Sequence, residues 1–253
     1  AAIDLMGVNE GLEIHHDGDL PARTGLGSSS SFSVGMLHTL FALKGVMPTR
    51  QQLALNAIHL ERDILKESVG SQDQVLASIG GFNRIDFFND NTYRETPITI
   101  NPERIKELKS HLMFFFTGIS RYSSEIAKKK VENFPNRKKQ LTTMYQMVEE
   151  AITILNSKNT AIDEFGQLLN ESWMLKRNIC DSISTSHIDE IYDAARSVGA
   201  IGGKILGAGG GGFMILFAKP EHQSGIKKRL NDLLYVPFDF EHSGSQIILN
   251  QQT

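Results

Sequence analysis

The chain has 253 residues, 40% of them hydrophobic and 22% charged, which fits one large or two modest globular domains rather than a disordered protein. A net charge of −3 argues against nucleic-acid binding through bulk electrostatics, and no apolar run approaches the ~18–20 residues of a membrane helix. Because Cys180 is the single cysteine and the first residues do not resemble a signal peptide, we expect a soluble, cytoplasmic protein without a nucleic-acid or membrane partner.

The first hundred residues are predicted to mix helices with strands. Gly45 marks a helix end, because glycine tolerates left-handed backbone there, and Thr49 with Gln52 has capping-box spacing. The predicted elements, in chain order, are a strand at 12–15 (LEIH), a helix at 29–44, a helix from 49 to about 68–70, and a strand at 82–88 (FNRIDFF).

From about Pro97 onwards, the sequence pattern of the chain changes. Its basic residues at 128–130 and 137–139 are interpreted as a solvated helix face, and Ser186 with Asp189 has N-cap spacing. The predicted elements are a strand at 112–118, helices at 121–156, 161–180 and 186–198, a glycine-rich loop running into a strand, a helix at 222–234, and a strand at 245–250 (SQIILN). We therefore predict an α+β protein of two lobes, residues 1–100 and 101–253.

The segment GLGSSSS, at 25–31, leads directly into the first long predicted helix. Gly25 and Gly27 allow the backbone to curl, and Ser28, Ser29 and Ser30 would offer N–H and hydroxyl groups at the helix start. A helix N-terminus of this kind favours a phosphate, and its hydroxyl oxygens suit Mg²⁺. The alternative is an ordinary helix cap with many serines.

The second glycine-rich segment, GAGGGG at 207–212, does not fit the common nucleotide motifs. Neither glycine segment is followed by the lysine of a P-loop. Gly207, Gly209 and Gly212 satisfy G-x-G-x-x-G, but they precede the apolar run FMILFA rather than opening a helix, which argues against a dinucleotide fold.

Two acidic residues between the glycine segments are candidates for phosphoryl-transfer chemistry. Asp73 is predicted to lie in a loop flanked by glycine and serine, and Glu61 on the preceding helix. Transfer to a hydroxyl needs a carboxylate near the acceptor and an oxygen-liganded metal. Taken singly, each acid is better interpreted as a solvated surface charge.

Together these segments resemble the GHMP kinase superfamily. PARTGLGSSSS (21–31) is similar to its ATP-phosphate motif and KILGAGGGGF (204–213) to its third motif. The resemblance implies a ribosomal-protein-S5-like N-terminal lobe and a ferredoxin-like C-terminal lobe. It also implies that Asp73 is the base or a charge stabiliser and that Ser29 and Glu61 hold Mg²⁺ (Ser28 is a weaker candidate for the serine). It implies ATP contacts from Pro21, Gly25, Leu26, Gly27, Ser28, Ser29, Ser30, Gly207, Ala208, Gly209 and Gly210. The superfamily's first motif is not found in this sequence, so the first strands of the N-terminal lobe are expected to be missing.

Three further segments, at 116–130, 168–184 and 188–213, resemble the heptose-phosphate kinase branch of that superfamily. This resemblance implies phosphorylation of the anomeric hydroxyl of D-glycero-D-manno-heptose 7-phosphate, for nucleotide-heptose and surface-glycan synthesis. Substrate contacts are expected from Arg121, Ser123, Lys176 and Arg177, since a sugar phosphate needs a cationic clamp. The alternatives are another sugar 1-kinase, of fucokinase or galactokinase type, and a non-catalytic nucleotide- or sugar-binding homologue. A homo-oligomer is possible.

Overall fold

The computed structural model describes residues 1–20, 24–119 and 123–251, and the chain forms two compact units. The first unit contains residues 1–20, 27–98 and 240–251. Its described elements, in chain order, are α1 (Ala2–Leu5), α2 (Ser28–Leu43), α3 (Arg50–His59), a π-helical turn (Leu60–Ile64), α4 (Gln72–Ile79), β1 (Asn83–Phe87) and β2 (Tyr93–Pro97). Strands β1 and β2 pair as an antiparallel hairpin, with Asn83 opposite Pro97 and Phe87 opposite Tyr93.

Local hydrogen bonds define the end of α2 and the start of α3 in the first unit. Gly45, at φ 66°, follows α2, and the N–H groups of Gly45 and Val46 donate to carbonyls of the last turn, which is a Schellman ending. The hydroxyl of Thr49 accepts from the Gln52 N–H while the Gln52 side chain accepts from the Thr49 N–H, so the predicted capping box is confirmed. The core of this unit packs α2, α3 and the π-helical turn together through Val34, Leu37, Leu53, Ala57 and Leu60.

The second unit contains residues 24–26, 99–119 and 123–239 of the described chain. Its helices are α5 (Pro102–His111), α6 (Ser123–Asn133), α7 (Lys138–Asn156), α8 (Asp163–Arg177), α9 (Ser186–Ser197) and α10 (Pro220–Arg229). Its strands are β3 (Leu112–Phe116), β4 (Ala200–Ile205), β5 (Phe213–Ala218) and β6 (Leu234–Val236).

The four described strands of the second unit form an antiparallel sheet in the order β4-β5-β3-β6. Numbered along the chain, this is a β-α-β-β-α-β arrangement with spatial order 2-3-1-4, so the predicted ferredoxin-like lobe is confirmed. The sheet packs against α8 at very short range. A Cβ atom added to Gly202 on β4 would lie 2.0 Å from the Gly166 carbonyl oxygen on α8, so only glycine fits there.

Two predicted strands are wrong. Residues 12–15 and 245–250 form no strand, and no ladder partner is found for either in the described part of the chain. The apolar pattern was misleading because it does not face a core: Ile248 is 94% exposed and Leu249 is 74% exposed. A strand at 93–97 was not predicted.

Several predicted helix boundaries also need correction. Pro135 lacks an N–H, and the predicted helix at 121–156 is broken by the 3₁₀ turn Phe134–Arg137. The predicted second helix ends at the π-helical turn rather than near 68–70, and the last helix ends at Arg229. The N-cap of α9 is Thr185 and not Ser186, because the Thr185 hydroxyl accepts from the Ile188 N–H. No described helix has the length and apolar character needed to cross a membrane.

Candidate active site

The serine-rich segment forms the start of α2, as predicted, although the helix begins one residue earlier. Gly27 is the N-cap at φ 71°, a left-handed conformation that glycine adopts without a Cβ clash. Ser28 and Ser29 follow, with Ser29 exposed, whereas Ser30 is buried. The first N–H groups of a helix have no intrahelical partner, so Ser28, Ser29 and Ser30 present donors suited to an anion.

Glu61 lies in the π-helical turn, where the Leu65 N–H donates to the Leu60 carbonyl five residues earlier. Its side chain is only 1% exposed. The oxygen Oε2 accepts hydrogen bonds from Ser30 Oγ at 3.0 Å and from Gln74 Nε2 at 2.5 Å. The other oxygen, Oε1, is buried and has no hydrogen-bond partner. The interpretation of Glu61 as a solvated surface charge is therefore wrong.

The unpartnered Glu61 oxygen fits a cation ligand. A buried carboxylate is costly unless a positive charge compensates it, and no lysine, arginine or histidine of the described chain pairs with Glu61. The described residues also contain no group of three or more His, Cys, Asp or Glu side chains that could bind a metal by itself. Any cation at Glu61 would therefore complete its coordination with hydroxyl, phosphate or water oxygens, which is the usual environment of Mg²⁺.

Asp73 lies in the first turn of α4, so its predicted position in a loop is wrong. Its carboxyl group approaches the start of α2: a Cβ atom added to Gly27 would lie 3.1 Å from Asp73 Cγ. Burial raises the pKa of Asp73, the charge of Glu61 raises this pKa further, and a hydrogen bond from Gln72 opposes the rise. Asp73 is therefore a half-buried carboxyl group whose proton affinity is greater than that of an exposed aspartate.

The structure brings Ser30, rather than Ser29, into contact with Glu61. It also brings in Gln74, which the sequence reasoning did not single out. Helical periodicity could have found Ser30, since it lies three residues before Ser33 and seven before Leu37 on the buried face of α2. Nothing in the sequence pattern marked Gln74.

In the second unit, the glycine loop between β4 and β5 is packed against backbone from distant segments. A Cβ atom added to Gly207 would lie 2.9 Å from Gly25 Cα, and one added to Gly209 would lie 2.8 Å from Ile183 Cα. The Gly210 N–H donates to the Ile183 carbonyl at 2.7 Å, and Ala208 packs against the hydrophobic core. Close packing thus requires glycine at positions 207 and 209, independently of any ligand.

Lys176 supports the same loop. It is buried, and its Nζ donates to the carbonyls of Ile205 at 3.1 Å and Gly207 at 2.8 Å. Burial lowers the pKa of Lys176 well below its usual range, and the charges of Lys204 and Lys130 lower it further. Burial also lowers the pKa of Lys130, which is half-buried, so the prediction that Lys130 belongs to a solvated helix face is wrong, whereas Lys128 and Lys129 are exposed.

The other predicted substrate contacts are less informative. Arg177 forms an ion pair with Asp189 at 3.1 Å. Pro21 and Arg121 lie outside the described residues, as does the side chain of Ser123, the first residue of α6. The described structure therefore does not place these three candidates against the other site residues.

Both units match known domains of one family. Residues 1–81 match the GHMP kinases N terminal domain, and residues 137–236 match GHMP kinases C terminal. Together with the serine-rich helix start, the ferredoxin-like sheet and the glycine loop, these matches show that the chain belongs to the GHMP kinase family and has its two-domain fold.

The individual relatives share about a quarter to a third of the aligned residues with this chain. D-glycero-alpha-D-manno-heptose 7-phosphate kinase from Campylobacter jejuni is 32% identical over 86% of this chain and 64% of its own length. A bifunctional fucokinase/GDP-fucose pyrophosphorylase from Arabidopsis thaliana is 26% identical over 88% of this chain and 21% of its own length. The crystal structure of a D-glycero-D-manno-heptose 1-phosphate kinase from Bacteriodes thetaiotaomicron is similar in fold, with a TM-score of 0.64 and 24% identity, over 89% of this chain and 64% of that one. The chain thus spans less than two thirds of the length of these relatives.

Proposed function

We propose that the protein is a magnesium-dependent ATP:sugar kinase that phosphorylates the anomeric hydroxyl of D-glycero-D-manno-heptose 7-phosphate. The observation that carries the proposal is the buried Glu61 carboxylate with one unpartnered oxygen, in the same unit as the half-buried Asp73. These residues supply a metal ligand and a candidate base, the two groups that phosphoryl transfer to a hydroxyl requires. The name of the Campylobacter jejuni relative supports the heptose phosphate as substrate.

In the proposed reaction, Asp73 orients the anomeric hydroxyl and accepts its proton. The hydroxyl oxygen forms a bond to the γ-phosphorus while the bond between that phosphorus and the β–γ bridging oxygen breaks, which gives the heptose 1,7-bisphosphate and ADP. The raised pKa of Asp73 suits a general base, because proton affinity nearer the working pH improves proton transfer. Bound Mg²⁺ would neutralise phosphate charge, and Glu61 and Ser29, with Ser30 beside Glu61, would hold it.

The proposed nucleotide contacts are those predicted from the sequence. In the first unit, the start of α2 offers its backbone donors and hydroxyls, and in the second unit the glycine loop offers backbone N–H groups other than that of Gly210, which donates to the Ile183 carbonyl. The proposed residues are Pro21, Gly25, Leu26, Gly27, Ser28, Ser29, Ser30, Gly207, Ala208, Gly209 and Gly210.

For the sugar phosphate, the contacts of Lys176 favour a role in supporting the glycine loop over a direct contact. Arg121, Ser123 and Arg177 are retained as the proposed clamp, with arginine favoured for bidentate phosphate binding. We propose that the enzyme works in the cytoplasm on these small molecules, without nucleic-acid or membrane partners, and that its product leads to nucleotide-activated heptose for surface glycans.

A second candidate is a kinase for an unphosphorylated sugar. The fucokinase relative favours it, because its similarity covers 88% of this chain, compared with 86% for the heptose-phosphate kinase. The two candidates differ in one chemical respect: only the heptose 7-phosphate brings a second phosphate that the protein must bind.

Phosphoryl transfer from γ-labelled ATP to a panel of sugars and sugar phosphates tests the proposal, with the full-length protein. Selective labelling of heptose 7-phosphate is expected, labelling of an unphosphorylated sugar supports the second candidate, and ATP binding without transfer supports a non-catalytic homologue. Asp73→Asn should lower kcat by at least ~100-fold and leave ATP affinity nearly unchanged. Asp90→Asn, in the exposed turn between β1 and β2, is the matched control. More than about a third of the wild-type kcat in Asp73→Asn would remove Asp73 as base.

A further inference from the structure

The Glu61 carboxylate is held at one oxygen by two donors. Oε2 accepts from Ser30 Oγ and from Gln74 Nε2, while Oε1 is left free in a buried position. A carboxylate with both oxygens free could rotate about its last torsion, since that torsion is broad and roughly two-fold. The two donors remove this freedom and present Oε1 alone.

Gln74 is an unusual residue to bury at this place. Its side chain is fully buried, and its own Oε1 has no hydrogen-bond partner in the described structure. Leaving an amide oxygen buried and unpaired is unfavourable, so the position needs a compensating reason to hold glutamine. The hydrogen bond to Glu61 is the interaction that an apolar side chain of the same length could not provide.

The first turn of α4 connects this contact to Asp73. Successive helical residues point about 100° apart, so Asp73 and Gln74 project in different directions from the same turn. Asp73 approaches Gly27 at the start of α2, and Gln74 contacts Glu61 in the π-helical turn. One helical turn therefore sets the positions of both carboxylates.

We propose that Gln74 is a positioning residue: its amide N–H fixes Glu61 Oε2 so that Oε1 is directed towards the divalent cation. This inference rests on the proposed function, in which Glu61 is a metal ligand. Residues that hydrogen-bond to metal ligands orient them, and their loss typically weakens metal affinity by about 10–100-fold.

The test uses Gln74→Met, which keeps the length of the side chain and removes the amide. The same substitution at the exposed Gln51 on α3 is the matched control. Binding of ATP is measured at increasing Mg²⁺ concentration and also with EDTA. For Gln74→Met, the Mg²⁺ concentration that gives half-maximal enhancement of ATP binding should rise about 10–100-fold, with affinity for metal-free ATP unchanged. Gln51→Met should match the wild type in both.

The possible failures can be separated. Wild-type protein in which ATP binding does not depend on Mg²⁺ would overturn the proposed function and this inference with it. A Mg²⁺ dependence that is the same in wild type and Gln74→Met would overturn only the role of Gln74. Equal weakening with and without metal would indicate a structural role and also overturn it.

A second measurement applies if Gln74→Met does not fold. In crystals of the wild type with Mn²⁺ and a non-hydrolysable ATP analogue, Glu61 Oε1 should coordinate the metal while Gln74 Nε2 remains bonded to Oε2. Coordination of the metal by Gln74 itself, or separation of Gln74 from Glu61, would overturn the positioning role.

Discussion

Gly27→Ala should destabilise the protein through two effects of the added Cβ atom: backbone strain at residue 27 and a close contact with the Asp73 carboxyl group. Gly27 has φ 71°, and a left-handed conformation costs an alanine about 1–2 kcal/mol. The new Cβ atom would lie 3.1 Å from Asp73 Cγ and 3.3 Å from Asp73 Oδ2, so the carboxyl group would have to shift by a few tenths of an ångström. In a chain of this size, 1 kcal/mol corresponds to about 2–4 °C in Tm, so the strain alone predicts a fall of roughly 2–8 °C.

Gly35→Ala in the same helix is the matched control. A Cβ atom at Gly35 meets no atom within 4 Å, and its φ is not left-handed. Replacing glycine by alanine inside a helix normally stabilises by roughly 0.5–1 kcal/mol, so this variant should melt at or above the wild-type temperature. Replacing glycine by alanine is therefore expected to lower the stability at position 27 and to maintain or raise it at position 35.

Thermal and urea denaturation measure the difference in stability between the two variants. Initial rates of phosphoryl transfer measure how the displacement of Asp73 changes kcat. Because the shift falls on Asp73, kcat of Gly27→Ala should decrease by roughly three- to tenfold, scaled from the ~100-fold effect of a 1 Å misplacement. Gly35→Ala should keep the wild-type kcat. A Gly27→Ala protein that is as stable as Gly35→Ala would refute the reasoning on both the backbone strain and the contact with Asp73.

Three further predictions concern single residues. Since burial raises the pKa of Asp73, folding favours its protonated form, and the free energy of unfolding should fall as the pH rises from the ordinary aspartate range through the raised pKa. In urea titrations over that pH range, Asp73→Asn should therefore become more stable relative to the wild type as the pH rises. A stability difference that is the same at all pH values would contradict this. Lys176→Met should lower the free energy of unfolding by about 1–3 kcal/mol, because the glycine-loop carbonyls lose their donor, whereas the exposed Lys129→Met should have little effect in the same denaturation assay. Gly202→Ala should give little folded protein by circular dichroism, because its Cβ atom would lie 2.0 Å from the Gly166 oxygen; wild-type yield and Tm would show that α8 can move away.

The features that the sequence predicted well are those with local causes. The end of α2 at Gly45 and the start of α3 at Thr49 follow from backbone conformation and capping, which involve only neighbouring residues. The run LMFFF forms a central strand because an apolar segment of that length has few other places to be buried. Segments 12–15 and 245–250 also contain apolar residues, but the described part of the chain places no strand beside either of them.

The site was less predictable, because its contacts join residues that are distant in the sequence. Ser30, and not Ser29, contacts Glu61 because Ser30 lies on the buried face of α2, and neighbouring helical residues point about 100° apart. The π-helical turn that contains Glu61 has no sequence signature of its own. Asp73 was placed in a loop because α4 is short and flanked by glycines and serines, which resemble a turn in sequence.

Residues 240–251 complete the first unit, although they are synthesised after the whole second unit. Gly81 donates to the Glu241 carbonyl, Ser245 donates to the Ala77 carbonyl, and His38 Nδ1 lies 2.9 Å from Ser245 Oγ. These partners leave the ribosome roughly 160 residues after α4, a delay of about 8–32 s at ordinary synthesis rates. The helix that carries Asp73 and Gln74 therefore cannot form its contacts with residues 240–251 until the whole second unit has been synthesised.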